Sequence, residues 1–543
     1  MKLNELKKFC ENKQNSLLVH NAQFENKWFL SKGINARIDY DTRLEARLFD
    51  ERLPADLNSL VLRFEIDKYY KTGDVAKFEG KELKERPSRD ARNTLALHEY
   101  LYPKLTEAER KVYHEVLVPA AKTLAQIELE GICVSPSKIS EVTKRINKDL
   151  DALKLHSELT IKAFVEAWGK KVKGGQFNVG SSKQKQIVIY DMLGYPVLQT
   201  TDSGAPSTEA EVVEALLKLE HTKTHHGGQV EECKVCQGST LSKINKASKW
   251  IGWRDKFLKH LTEHLVAVKG KQFVFTDLLL AGAATGRLIS SNPNMQNTPR
   301  GYVREVFIPR YDFILEFDYK GIEWRVWVCL AKDDALIDAV RTGDPHANTA
   351  ADIFAKKLKA ITEEERFIGK TFNFTIINGG GPFRLTLVTG LPIEQTEQMF
   401  KRFWKAHPRG QKFWEEYVEV ETYDKWNRPQ SGWVHAPTGM KRYFEKPTEA
   451  RNHLIQNPAL VVMLKAANKV VPYVKDSGYG VVDLTVHDSL RTDGKKSFDK
   501  IVKDVKAIME EQTLEINGED MELPFEVEVK RGKNWSDMED VKV

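Results

Sequence analysis

The stretch DFILEFDYKGIEWRVWVCLA, residues 312–331, opens with an apolar run that fits a buried strand, and Asp318 stands at its end. Farther along, VVDLTVHDSLRTD at 481–493 is a second β-rich run, with Asp488 just past its apolar part. Taken singly, each Asp reads as the residue that ends a strand in a turn. Taken together, and brought to neighbouring strand ends by a tertiary fold, two carboxylates can hold two divalent cations about 4 Å apart. One cation would activate an attacking hydroxyl and the other would neutralise a triphosphate and its leaving group. Magnesium suits oxygen ligands of this kind, with manganese as a substitute.

Between those runs lies EEERFIGKTFNFTIINGGGPF, residues 363–383, which reads as a helix. Arg366, Lys370, Phe374 and Asn378 recur at every fourth position and so share one face. The acids at 363–365 suit a helix start, and Gly379, Gly380, Gly381 and Pro382 suit its end. Two cations one turn apart can grip a nucleotide's phosphates, and an aromatic a turn further on can pack on its sugar and base. On spacing alone, a solvated basic stripe with a core Phe is the stronger reading.

The chain has 543 residues and a formal net charge of +6. That length predicts two to four packed units, and the mild excess of base permits nucleic-acid binding without requiring it. Five scattered cysteines in so large a chain do not form a disulfide framework. No apolar run is long enough to span a bilayer and the start is not a signal peptide, so a cytoplasmic protein without a membrane partner is expected. Residues 1–115 read as mixed α/β, with SLLVH a strand and ARNTLALHEYLYPKL an amphipathic helix. Residues 116–175 read as mainly helical with a short strand near GICV, and FNVGSSKQKQIVIYDMLGYPV as a capped helix after a polar turn. A polar insertion follows, HTKTHHGGQVEECKVCQGS at 221–239, in which His221, His225, His226, Cys233 and Cys236 crowd together. C-x2-C is a good zinc half-site that a pair of His can complete, and a flexible loop with fortuitous ligands is the competing reading. Lys-rich helices then run to about residue 268, and strands and helices alternate from 272 onward.

Three segments resemble the polymerase motifs of the family A (DNA polymerase I-like) DNA polymerases, in the family's order. D-Y-K-G-I-E-W-R at 318–325 is similar to motif A, R-x3-K-x3-F-x3-N-G at 366–379 to motif B, and V-H-D-S at 486–489 to motif C. TGRLISSNPNMQNTP at 285–299, DPHANTA at 344–350, RNHLIQ at 451–456 and GKNW at 532–535 resemble further family segments, and FNVGSSKQ and GAPST resemble its thumb. The likeness runs from about residue 90 to the end. It implies an α/β, α+β multidomain right hand with a palm built on an antiparallel sheet, and a truncated RNase H-like exonuclease domain. The implied boundaries are 1–115 for the exonuclease-like part and 116–275 for the palm entry and helical thumb. Residues 276–340 would form the palm around motif A, 341–450 the fingers, and 451–543 the palm around motif C. The implied reaction is attack of a primer 3′-hydroxyl on the α-phosphate of a dNTP, on primer–template DNA.

By that resemblance Asp318 and Asp488 are the metal carboxylates, with the Tyr319 carbonyl a further ligand. Arg366, Lys370 and His346 meet the triphosphate, and Lys370 also protonates the leaving pyrophosphate. Phe374 packs on the sugar and Glu323 is the steric gate against a ribose 2′-hydroxyl. Arg287, Asn294, Gln296, Asn297, Gln456 and His487 contact the primer–template, mostly through shape and backbone, because a copying enzyme cannot prefer one sequence.

The chain departs from the family pattern in three places near these residues. Asn378 stands where the family has Tyr, Gly321 where it has Gln, and Ser489 where a carboxylate follows the motif C Asp; altered base selection is expected. At the amino end, LLVHNAQFENKWF and RPSRDARNTLALHEYL resemble the second and third exonuclease motifs, with Asn21, Glu25 and Asp90 as remnants and Arg86 in place of Tyr. The first motif, D-x-E, is absent, since the first Asp of the chain is Asp39. Half a two-metal carboxylate set cannot work. This predicts no proofreading by the chain alone: either a relic, or a split enzyme whose missing strand comes from another polypeptide. The rival readings are an inactive DNA-binding subunit of a split replication polymerase, which the retained Asp318, Asp488, Arg366 and Lys370 oppose, and a single-subunit RNA polymerase, which Glu323 opposes. A phage or bacterial replication role is expected.

Overall fold

The alternation along FILEFDY decides the central layer of the molecule. In the computed structural model, which describes residues 2–68, 80–153, 177–224, 236, 238–280, 287–516, 519–521 and 525–543, this segment is strand β1 (Phe313–Tyr319). It lies in the middle of a five-stranded sheet with β2 (Gly480–Val486), β3 (Ser489–Gly494), β4 (Val527–Gly532) and β5 (Met538–Asp540), in the order β2-β3-β1-β4-β5. Every pairing is antiparallel. The two-residue period turns Phe313, Leu315, Phe317 and Tyr319 into the main core, with helices α1 (Ile322–Ala331) and α4 (Pro447–Ser477) among its other contributors. Ile314 turns the other way, into a second core with Phe307, Leu484 and Trp535. Glu316 and Asp318 follow Ile314 on that second face.

Helices α2 (Pro345–Phe354) and α3 (Glu363–Ile377) pack against one another between α1 and α4 in the sequence. The acids expected at the start of α3 are there, and Thr362, which the sequence reading did not single out, caps the helix in a reciprocal capping box with Glu365. Gly369, in the middle of α3, lies so close to α2 that an added Cβ would sit 2.3 Å from the carbonyl oxygen of His346. A third core, with Val188, Leu216 and Ile244, gathers the helices between 177 and 251. The amino-terminal segment holds a parallel pair of short strands, Leu18–Val19 and Tyr40–Asp41, with helices around them. It docks on a three-stranded sheet, Val418–Tyr423, Pro429–His435 and Lys441–Phe444. There the Arg52 guanidinium lies over the rings of Trp433 (4.7 Å) and Tyr443 (4.5 Å), and Glu51 pairs with Arg442 at 2.9 Å.

Cys10, Cys133, Cys236 and Cys329 are buried. Among the described residues, no helix is long and apolar enough to cross a membrane.

A charged pair is sealed inside this framework. Arg491 on β3 and Asp483 on β2 are joined at 2.9 Å with side chains 1 % and 0 % exposed. Removing one partner leaves a buried charge without its counterion. Asp483→Ala is therefore expected to cost about 3–5 kcal/mol in urea unfolding, whereas the double change Asp483→Leu with Arg491→Met should cost clearly less.

Candidate active site

The hairpin that joins β2 to β3 turns in two residues, His487 and Asp488, since Val486 already pairs with Ser489. His487 carries the positive φ, 55°, that a tight hairpin turn needs at its first position. Ser489 pairs in turn with Asp318 on β1, and the Tyr319 N–H donates to the Asp488 carbonyl at 3.3 Å. This register brings the Asp318 and Asp488 carboxylates to one edge of the sheet. Burial, and after it the charges of Asp488 and Glu316, push the Asp318 carboxyl up to about 7; burial also raises Asp488. Two hard oxygen donors that repel each other in a partly buried place suit a divalent cation, which would remove the repulsion. The Tyr319 side chain is buried away from them, its hydroxyl donating to the Met509 carbonyl at 2.6 Å.

A small cleft beside Asp488 is lined by Arg287, Gln296, Glu323, Gln456 and His487, five residues drawn from four separate stretches of sequence. Arg287 is ion-paired with Glu323. Gln296 donates to the Thr485 carbonyl at 3.3 Å, and the buried Oε1 of Gln456 has no hydrogen-bond partner. Asn294 and Asn297 are not in that lining. They are exposed and close a turn, with Asn294 Oδ1 accepting the Asn297 N–H at 3.0 Å. Gly321 begins α1 with a left-handed φ of 56°, a conformation that a side chain disfavours.

On α3 the predicted stripe is divided by its partners. Arg366 is paired with Asp344, the residue that caps α2. Lys370 is exposed, as is Phe374 at 46 %. Asn378 ends the helix and folds back, its Nδ2 donating to the Phe374 carbonyl at 2.8 Å. His346, on α2, faces this stripe with its ring 6.5 Å from that of Phe374. Burial, with Lys370 and Arg366 nearby, pushes it down to about 4 against the opposing pull of Asp344. The imidazole is therefore neutral at pH 7. Asn373 Nδ2 donates to its Nδ1 at 3.0 Å, which leaves the proton on Nε2.

Three residues here escaped the reading of the sequence: Glu316, Asn373 and Gly369. The two-residue period that buries Ile314 and Phe317 could have flagged Glu316, since a charged residue inside an apolar strand needs a reason. The contacts of Asn373 and Gly369 are made with α2 and have no local signal.

The remaining predicted residues lie elsewhere. His225, His226 and Cys233 fall outside the described residues, as does the side chain of His221. Cys236 is buried in the third core. Among the described residues no three His, Cys, Asp or Glu side chains converge as a cation cage. Asn21 begins the helix Ala22–Ser31 with a φ of 75°, and its N–H donates to Asp41, which also accepts the Ala22 N–H. Glu25, on the same helix, is raised by burial and by the charge of Asp41. Asp90 pairs with Arg86 at 3.2 Å, on a different helix, Gly80–Leu101.

Two measurements test this geometry. A carboxyl raised from 3.8 to about 7 favours the protonated folded state, so its contribution is favourable below about pH 4 and is lost as pH rises towards 7. In EDTA the wild type should lose several degrees of Tm relative to Asp318→Asn between pH 4 and 7; parallel curves would refute the repulsion. Gly369→Ala should force α2 away from α3 and cost about 1–3 kcal/mol in thermal unfolding.

The sequence model of DNA polymerase family A matches residues 147–537. The chain is 27% identical to the DNA polymerase I of Pseudomonas aeruginosa over 531 residues, covering 92% of this chain and 54% of that protein. It is 27% identical to the thermostable DNA polymerase I of Thermus aquaticus over 508 residues, covering 89% of this chain and 55% of that one. It thus spans about half the length of the curated relatives it matches. Its fold is similar to that of the POL domain of Pol1 from M. smegmatis, solved in complex with a DNA primer–template and dNTP, with a TM-score of 0.76 and 22% identity. That match covers 98% of this chain and 88% of the other. The family match extends over well more than half of the chain and takes in both carboxylates and the whole of α3, and the chain belongs to DNA polymerase family A.

Proposed function

We propose that this protein is a template-directed DNA polymerase that adds dNTPs to a primer 3′-hydroxyl. The observation that carries the reading is the juxtaposition of Asp318 and Asp488 at paired strand ends, in a chain of this family. Held by these carboxylates and the Tyr319 carbonyl, two Mg2+ ions would activate the primer hydroxyl and neutralise the triphosphate. The chain's own groups do the rest. Arg366 and Lys370 hold the phosphates from α3, and His346, protonated on Nε2, donates to them from α2. Lys370 carries the proton that the leaving pyrophosphate takes up. Phe374 offers an exposed ring to the sugar. Glu323, kept in place by Arg287, excludes a 2′-hydroxyl, which argues for DNA over RNA synthesis. Gln296, Gln456 and His487 face the nascent pair, and Asn294 and Asn297 lie on the primer–template path.

In this reading residues 276–340 and 451–543 form the palm, 341–450 the fingers and 116–275 the palm entry and thumb, and the protein works in the cytoplasm of a bacterium or a phage-infected host. The His/Cys insertion would carry a structural zinc. Residues 1–115 would be an exonuclease-like domain without proofreading in this chain alone. The pairing of Asp90 with Arg86, which stands where the third motif has Tyr, supports that. A separate polypeptide completing it belongs to the same proposal.

The direct test is primer extension on a 3′-recessed DNA duplex with Mg2+ and either dNTPs or rNTPs. Extension with dNTPs only is expected, abolished by Asp488→Ala and slowed about 10²–10³-fold by Lys370→Ala. An inactive wild type would favour the DNA-binding subunit, and ready use of rNTPs the RNA polymerase. Because Asn378 bonds its own helix and presents no ring, Asn378→Tyr should change the misincorporation rate; an unchanged rate would remove the expectation of altered selection.

A further inference from the structure

Glu316 is a half-buried carboxylate that forms no ion pair among the described residues. It lies on β1 two residues before Asp318, so both side chains rise from the same face of the sheet. Its Oε2 accepts the Trp535 indole N–H at 2.9 Å, and its Oε1 faces the Ser489 hydroxyl at 3.4 Å. Among the described residues no Lys or Arg forms an ion pair with it, although the strand partners on either side are Arg491 and Lys530. Arg491 is committed to Asp483. Trp535, which fixes the carboxylate, is itself held between guanidinium groups, Arg304 at 4.2 Å and Arg491 at 5.3 Å. A neutral acceptor would satisfy the indole equally well, so that hydrogen bond does not require the negative charge, whose field also reaches the half-buried guanidinium of Arg304. Glu316 stands two residues from Asp318 on one face of β1, and its Oε1 lies 3.4 Å from the hydroxyl of Ser489, the residue that follows Asp488 and pairs with Asp318.

We propose that Glu316 is a positioning residue of the candidate active site, adding the negative field that binds a divalent cation between Asp318 and Asp488. This rests on the polymerase reading of that pair. It places on the strand a charge that the turn lacks, because the residue after Asp488 is the neutral Ser489. Glu316 acts through its field and through the Ser489 hydroxyl, without joining the same ion's ligand shell.

The test is Mn2+ binding to the full-length protein, followed by electron paramagnetic resonance, in the wild type, Glu316→Gln, and Glu316→Gln combined with Ser489→Glu. Glutamine keeps the indole hydrogen bond and removes only the charge. The expected result is about tenfold weaker Mn2+ binding in Glu316→Gln at an unchanged Tm, with affinity recovered when Ser489→Glu is added. Unchanged Mn2+ affinity in Glu316→Gln would overturn the proposal, as would a loss that Ser489→Glu leaves unrepaired. Asp318→Asn serves as the separate control. If it too leaves Mn2+ affinity unchanged, the metal reading of the carboxylate pair fails, and with it the basis for Glu316. If Asp318→Asn weakens binding and Glu316→Gln does not, only the role of Glu316 is lost.

Discussion

Two like charges are held side by side against their own repulsion, and the rest of the architecture supplies the force that holds them. The pairing of β3 with β1 sets Ser489 opposite Asp318, and the two-residue turn before Ser489 leaves Asp488 nowhere else to go. Behind β1 the side chains of Phe313, Leu315 and Phe317 are fully buried. Burial of this kind stabilises by about 1.5–3 kcal/mol per large apolar side chain, enough to fix a central strand whose end carries electrostatic strain. The same burial lowers the local dielectric and sharpens the repulsion. A site built this way is poised to take up positive charge.

The opposite wall is built on the reverse logic. On α3, Arg366 is paired with Asp344, while Lys370 and Phe374 are exposed. The close approach of α2 at Gly369 brings His346 to the same stripe, and the neighbouring cations help to keep its imidazole neutral. A paired cation, an exposed cation and a neutral imidazole on one face make a mildly positive wall, less strongly charged than three free cations would be.

Much of this was legible in the sequence because it is periodic or local. The four-residue recurrence from Arg366 to Asn378, the acids at the start of α3, and the apolar run ending at Asp318 all translate directly into the structure. What was illegible depends on partners distant in sequence. The register that places Glu316 beside Ser489 joins residues on different strands, and the contacts of Asn373 and Gly369 join one helix to another. The side chain of Asn378 illustrates the limit from the other side. Its position on the stripe was right, but a short amide at a helix end finds the backbone before it finds a ligand.

The clasp between the amino-terminal segment and the three-stranded sheet bears on why that segment is there at all. Arg52 lies over Trp433 and Tyr443, Glu51 holds Arg442 and the Tyr443 N–H, and Tyr113 joins its hydroxyl to Glu45 and to the backbone of Asp41. These contacts bind residues 41–52 to parts of the chain up to 392 residues away. The segment is thus a buttress, and its mechanical duty is independent of any nuclease chemistry. A segment that carries such contacts can be kept for rigidity alone, so trimming it away would remove a load-sharing wall of the fold.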